Sequence, residues 1–302
     1  MSLLRSAIEA LEEFQGENVP DYAILSHTWG NGEVTFDDMI GGLAAQKAGY
    51  DKLLRTMKRA RDDGFKYVWI DTCCINKASS AELSEAINSM FAWYQNACIC
   101  YAYLEDVSAS DMDEAFSSSR WFTRGWTLQE LLAPRSVEFY GKDFQHLGSR
   151  ETLVSKISSA TGIDKRTLLN RDRIWRNSVA RRMSWASKRH TTRIEDMAYS
   201  LLGIFNVNLP LLYGEGAKAF TRLQEEIMKD MDDHSLFAWD ARTHCDSIPK
   251  QYGVFAPSPK FFVHSGNILP IPSKDTMPYM MTNKGLQIQM RSCMTSLTKI
   301  KD

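Results

Sequence analysis

Four short stretches hold side chains that could do chemistry. Ser26, His27, Thr28, Trp29 and Gly30 follow one apolar run, Asp71, Thr72, Cys73, Cys74, Ile75 and Asn76 a second, and Glu105 and Asp106 a third. Cys74, His27 and Asp71 are the thiol, imidazole and carboxylate of a cysteine hydrolase, but two adjacent cysteines are ordinarily one buried and one incidental, and no neighbour lowers either pKa. In the plainer reading His27 and Asp71 bond each other and pin two loops, while an Asp or Asn after a strand caps a turn or helix. Trp126 and Glu130 lie four apart, so ring and carboxylate share one helical face. Helix statistics alone make that pair a core Trp beside a solvated Glu bonded to Arg124 or Arg120.

The surrounding pattern alternates period-two apolar runs with period-3.6 segments, as in a βαβ sheet. Strands are expected at Tyr22–Leu25, Tyr67–Ile70, Cys98–Leu104 and Val137–Tyr140. Between the first two lies a helix with Leu53, Leu54 and Met57 on one face, Asp51 as N-cap and Gly64 as stop. Leu83, Ile87, Met90, Phe91 and Tyr94 mark a second helix, and SSSRWFTRGWTLQELLAP, closed by Pro134, leads into the fourth strand. Connections of this length need parallel neighbours and right-handed crossovers, hence an α/β doubly wound parallel sheet. In such sheets ligands bind beyond the carboxyl ends of the strands, where these polar groups converge.

Residues 151–240 read as a mostly helical extension, including a helix with Ala217, Phe220, Leu223 and Ile227 on one face. Residues 241–302 read as a looser segment of short strands and loops, leaving 1–150 as the sheet core. The apolar face of Met197, Leu201, Leu202, Ile204 and Phe205 must bury against that core. The basic pair Arg181 and Arg182 reads as a solvated face, and the GxG around Glu215 as a helix cap.

Lys plus Arg total 36 against 37 for Asp plus Glu, a net charge of -1, so no global field favours nucleic acid. The six cysteines, Cys73, Cys74, Cys98, Cys100, Cys245 and Cys293, form neither CxxC nor a Cys/His ladder, which points to reduced thiols and no metal site. No run approaches the ~18 apolar residues of a membrane span, and acids interrupt the N-terminal segment where a signal peptide is apolar. A cytoplasmic chain without membrane contact is expected.

Three blocks in order, YAILSHTWG, then YVWIDTCCINK with a helix ending MFAWYQNA, then SRWFTRGWTLQELLAP, resemble the fungal heterokaryon-incompatibility (HET) domain. Downstream, SWASKRHTTRIEDMAYSLLGIFNVNLPLLYGEGAKAFTRLQEEIMK and GVFAPSPKFF resemble the extension of HET domains at the N-terminus of NLR-like incompatibility receptors. Lys77, where Gln is usual, and His190, where an acid is common, depart from the pattern. HET domains are similar in turn to TIR domains, so the resemblance implies a TIR-like, flavodoxin-like sheet. The TIR motif S..WC..EL maps onto Trp126, Thr127, Glu130 and Leu131, with Thr127 in place of the Cys.

The resemblance implies a cell-death effector of non-self recognition that cleaves NAD, as substrate and without a separate cofactor, between ribose and nicotinamide, with Glu130 catalytic. It also implies self-association into dimers or higher oligomers and a fused nucleotide-binding receptor module. The chemistry is economical: nicotinamide in NAD is already a cationic leaving group, and one carboxylate near the oxocarbenium-like ribose supplies most of what is required. Trp29 or Trp126 would stack on a base or wall the pocket, and Ser26, His27, Asp71 and Asn76 would contact hydroxyls and phosphates. The competing reading is a TIR-like adaptor that signals by clustering alone.

Overall fold

The computed structural model describes residues 1–244, 252–270 and 279–288. Seven strands form one sheet: β1 (Ser2–Arg5), β2 (Ala10–Glu13), β3 (Tyr22–His27), β4 (Tyr67–Trp69), β5 (Ile99–Tyr103), β6 (Val137–Tyr140) and β7 (His146–Ser149), in the order β2-β1-β4-β3-β5-β6-β7. The inner four are parallel and the flanking pairs antiparallel. Every residue of β3 is buried, as a central parallel strand covered on both faces requires. Counted alone, the parallel strands run second, first, third, fourth, the order of open doubly wound sheets, with the switch point between β3 and β5.

Right-handed crossovers place the connecting helices. The chain steps from β3 to β4 through the helix Tyr50–Asp62, then reverses past β3 to β5 through the helix Ser80–Asn96, so the two helices cover opposite faces. The short helix Thr127–Leu132, on the β5-to-β6 connection, packs beside Ser80–Asn96 and against β3.

Several expected boundaries move. β3 extends to His27, so Ser26 and His27 belong to the strand end. Gly49 rather than Asp51 precedes the first crossover helix, and Asp51 instead pairs with Arg55 one turn on. Gly64, at φ +87°, stops that helix as expected. The segment before Pro134 breaks into two 3₁₀ turns, Phe116–Ser118 and Arg120–Thr123, ahead of Thr127–Leu132. Backbone pairing explains the break: His190 N donates to Thr123 O at 2.7 Å and Gly125 N to His190 O at 2.9 Å. In the helix Lys218–Asp230, Ala219 joins Phe220, Leu223 and Ile227 on the buried face, while Ala217 is an exposed N-cap.

The residues between β7 and Asp240 form short helices whose apolar side chains join the same core as the sheet. Leu202–Phe205 lies on Ser80–Asn96 so closely that a Cβ on Gly203 would come 2.1 Å from Phe91 Cβ. Arg182 is buried, not solvated: it donates to Ile204 O at 3.0 Å and lies over the Phe205 ring. Beyond Asp240 the described residues hold two 3₁₀ turns, Ala241–His244 and Pro259–Phe262, and a hairpin of Met280–Thr282 with Gly285–Gln287. Cys245 and Cys293 lie outside the described residues.

Candidate functional site

A cavity of about 330 Å³ opens beyond the carboxyl ends of β3 and β4. Its walls come from both halves of the chain: His27, Trp29, Asp71 and Lys77 after the strands, Trp126, Thr127 and Glu130 from the short helix, and Thr192, Arg193, Asp196 and Tyr213 from the extension.

Glu130 is the chemically unusual member. It is 6% exposed, which rules out a solvated surface Glu. Burial pushes its carboxyl up to about 8, with Asp71 adding repulsion, while Ser26, Tyr94 and Arg189 pull the other way. Ser26 Oγ donates to Glu130 Oε2 at 2.5 Å, and Trp121 Nε1 donates to Ser26 Oγ at 2.8 Å. Ser26 is therefore a positioning residue behind the carboxylate and does not line the cavity.

His27 and Asp71 do bond each other, His27 Nε2 lying 2.9 Å from Asp71 Oδ1. Trp29 Nε1 donates to the other Asp71 oxygen at 2.7 Å. Burial alone would raise the Asp71 pKa, but the His27 hydrogen bond and charge, with help from Lys77 and Trp29, hold it below the ordinary carboxylate range. An ionised Asp71 only accepts, so His27 Nε2 donates this bond. That leaves Nδ1 buried and unpartnered, 3.8 Å from Glu33 Oε1. The Lys77 ammonium sits 3.5 Å over the Trp29 ring, and partial desolvation there lowers its pKa. Lys77 thus closes the rim of the cavity, with the aromatic face of Trp29 beneath it.

Beside Ser26, two further candidates do not line the cavity. Asn76 Oδ1 accepts from Ala78 N at 3.1 Å and its own N–H goes to Glu82, so it builds the turn into Ser80–Asn96 and does not line the cavity. Cys74 Sγ is buried against the backbone of Ile70 and Val68 and does not line the cavity, which removes the thiol-hydrolase arrangement.

The extension adds residues that sequence reasoning missed. Arg189, 1% exposed, donates to Thr127 Oγ1 at 2.9 Å and to Arg124 O at 2.8 Å, and burial lowers its pKa to about 9. Tyr213 hydroxyl donates to Asp196 Oδ1 at 2.9 Å, and the Arg193 guanidinium stacks on the Tyr213 ring. Burial raises the Asp196 pKa although Tyr213 and Trp126 bond to it. Arg150 fixes the far end of the Glu130 helix by donating to the carbonyls of Leu131, Pro134 and Arg135.

Residues 22–118 match the family model described as Heterokaryon incompatibility protein (HET). Over 234 residues, 74% of this chain, the sequence is 49% identical to "Vegetative incompatibility protein HET-E-1" of Podospora anserina. The chain carries a HET domain. It spans 17% of the length of that relative. The match to the HET model takes in β3, with His27 at its end, β4, the short helix Asp71–Cys74 and β5, and it ends before Glu130. Residues 218–292 match a domain of unknown function, DUF8212. No solved structure matches. Among the described residues no group of three or more His, Cys, Asp or Glu could hold a metal ion, and no helix is long and apolar enough to cross a membrane.

Proposed function

We propose that this HET domain is a TIR-like cell-death effector of fungal non-self recognition that cleaves NAD at the nicotinamide–ribose bond with Glu130. The observation that carries this reading is a buried carboxylate, anchored through Ser26 to Trp121, in the wall of an aromatic-lined cavity. Such a group is costly to fold and adds nothing as a surface charge. The kinship with a vegetative incompatibility protein supports the biological half of the proposal.

The cavity divides by charge in a way that suits a dinucleotide. Glu130 faces the sugar that becomes cationic as nicotinamide leaves, and Arg124, Arg193 and Lys77 are the cations available to the pyrophosphate. Trp126, Trp29 and Tyr213 provide flat walls for a base or the nicotinamide ring. The C1′–N bond breaks with its electron pair going to the pyridinium nitrogen, so nicotinamide leaves neutral without a general acid. Glu130, ionised, stabilises the ribosyl cation until a nucleophile adds.

The test is nicotinamide release from NAD by the purified chain at high protein concentration, beside Glu130→Gln. Release by the parent and its loss in the variant are expected. If the parent releases none even when clustered, the adaptor reading takes over. The exposed apolar side chains of Ile40 and Leu43, which suit self-association, favour that second reading.

A further inference from the structure

A second, larger cleft of about 530 Å³ shares no wall with the first. It lies between the helix Lys165–Leu169, the 3₁₀ turn Arg171–Arg176, the start of the helix Val179–Ala186 and residues 269–270. Its lining holds five cationic side chains, Lys165, Arg166, Arg173, Arg176 and Arg181, against one carboxylate, Asp164. In a chain of net charge -1 this is a strong local excess.

The one acid is already committed. Asp164 caps its helix through Thr167 N at 3.0 Å and also accepts from Thr167 Oγ1 at 2.7 Å. Arg181 Nη2 approaches it at 3.4 Å, but Arg181 Nε is buried without a partner. Among the described residues, Arg166, Arg173 and Arg176 have no carboxylate in ion-pair range. Asn177 holds the wall together, donating to Arg173 O at 2.7 Å and to Thr167 Oγ1 at 3.2 Å. Cationic side chains that line one concave space, with an unsatisfied buried N–H among them, repel one another unless an anion joins them.

We propose that this cleft is a ligand site for a small molecule carrying two or more clustered phosphates. Arginine forks match phosphate oxygens two at a time, and several like charges call for a multivalent partner. Concavity and the near-neutral charge of the whole chain favour a compact ligand over an extended polyanion. Leu269 and Pro270 give the rim an apolar wall for the scaffold that bears the phosphates. Soluble polyphosphates and phosphoinositide headgroups share this chemistry.

Calorimetry with sodium tripolyphosphate tests the site. Saturable one-to-one binding is expected, weakened at least about tenfold in Arg173→Ala/Arg176→Ala and unchanged in Glu130→Gln. Arg166→Ala/Arg176→Ala changes two exposed side chains and serves if the first variant melts early. Sedimentation with phosphatidylcholine vesicles, with and without phosphatidylinositol bisphosphate, separates the sources. Vesicle binding that tripolyphosphate displaces identifies a lipid headgroup, and binding of the free anion alone a soluble ligand. The proposal is overturned if no saturable binding occurs at millimolar tripolyphosphate, or if both double variants bind as the parent does. Loss of binding in Lys77→Ala or Arg193→Ala would also overturn it, by moving the anion to the first cavity, as would an RNA oligomer that binds and is not displaced by tripolyphosphate.

Discussion

Trp121 Nε1 donates to Ser26 Oγ at 2.8 Å, and this settles where the Ser26 proton goes. An indole nitrogen only donates, so the serine oxygen accepts there and its single hydrogen is directed to Glu130 Oε2. A buried carboxyl that burial pushes up to about 8 is thus met by a donor suited to its ionised form. The site holds Glu130 near its switching point, raised by burial and restrained by a relay that begins on the 3₁₀ turn Arg120–Thr123.

Glu130→Gln is expected to lower nicotinamide release by about 10²–10³, the usual cost of losing one preorganised electrostatic contact. It should also stabilise the fold at alkaline pH. In the unfolded chain Glu130 titrates near 4.5, and in the folded chain near 8. Between those values the unfolded state has released a proton that the folded state keeps, so this group's contribution to stability falls as pH rises. Melting curves should coincide near pH 4 and separate by several degrees at pH 8–9, with the variant higher. A variant that melts below its parent at pH 9 would mean that the carboxylate is structural.

The pH profile follows from the same pair. With Glu130 acting ionised, kcat/KM should rise with pH through a midpoint near 8, and kcat through a lower one, because the bound pyridinium favours the carboxylate. Ser26→Ala removes a hydrogen bond that lowers the Glu130 pKa, so the kcat/KM midpoint should move to higher pH. It also orphans the Trp121 N–H, costing about 1–3 kcal/mol in denaturant unfolding. An unshifted midpoint would separate Ser26 from the titration of Glu130.

The parallel strands were legible because YAIL, YVWI and ICYAY are apolar, aromatic and β-branched runs of strand length. The pairing of Trp126 with Glu130 was legible as helix spacing, and both do line the cavity. The β1–β2 hairpin was not, since Ala10–Glu13 is built from helix-favouring residues and becomes a strand by pairing with β1, which in turn pairs with β4. Nor was Arg189: a buried arginine and a solvated one look alike in a sequence, and its partner Thr127 is 62 residues away. Asn76 misled because a residue that ends a strand and one that turns the chain toward the next helix occupy the same place in the pattern.

The helical segment should be inseparable from the sheet. Leu201, Leu202, Ile204 and Phe205 are buried, and Arg189 donates into the Glu130 helix from beyond residue 150. A fragment 1–150 is expected to aggregate or to melt without cooperativity. Gly203→Val in the full chain should cost more than about 3 kcal/mol, since even its Cβ would meet the Phe91 side chain. A soluble fragment 1–150 with a sharp melting transition would show instead that the sheet folds alone.

Nicotinamide release should depend on assembly. A domain with a permanently competent site would deplete NAD in its own cell, so activity is expected to wait on a second event, and clustering through exposed apolar side chains is such an event. Ile40 and Leu43, 68% and 46% exposed, stand at the end of the helix Phe36–Ile40 and just after it, a helix that packs on Asp71–Cys74. Contact there would press on the element that carries Asp71, whose charge repels Glu130. Rate per molecule is therefore expected to rise with protein concentration, and more steeply when the chain is fused to an inducible dimeriser. Ile40→Asp/Leu43→Asp should flatten that rise while leaving melting within about 0.5 kcal/mol, as exposed substitutions do. A specific activity that is full and constant across a wide dilution series would mean that one chain suffices, and the control would then have to lie in access of NAD to the cavity rim at Lys77 and Trp29.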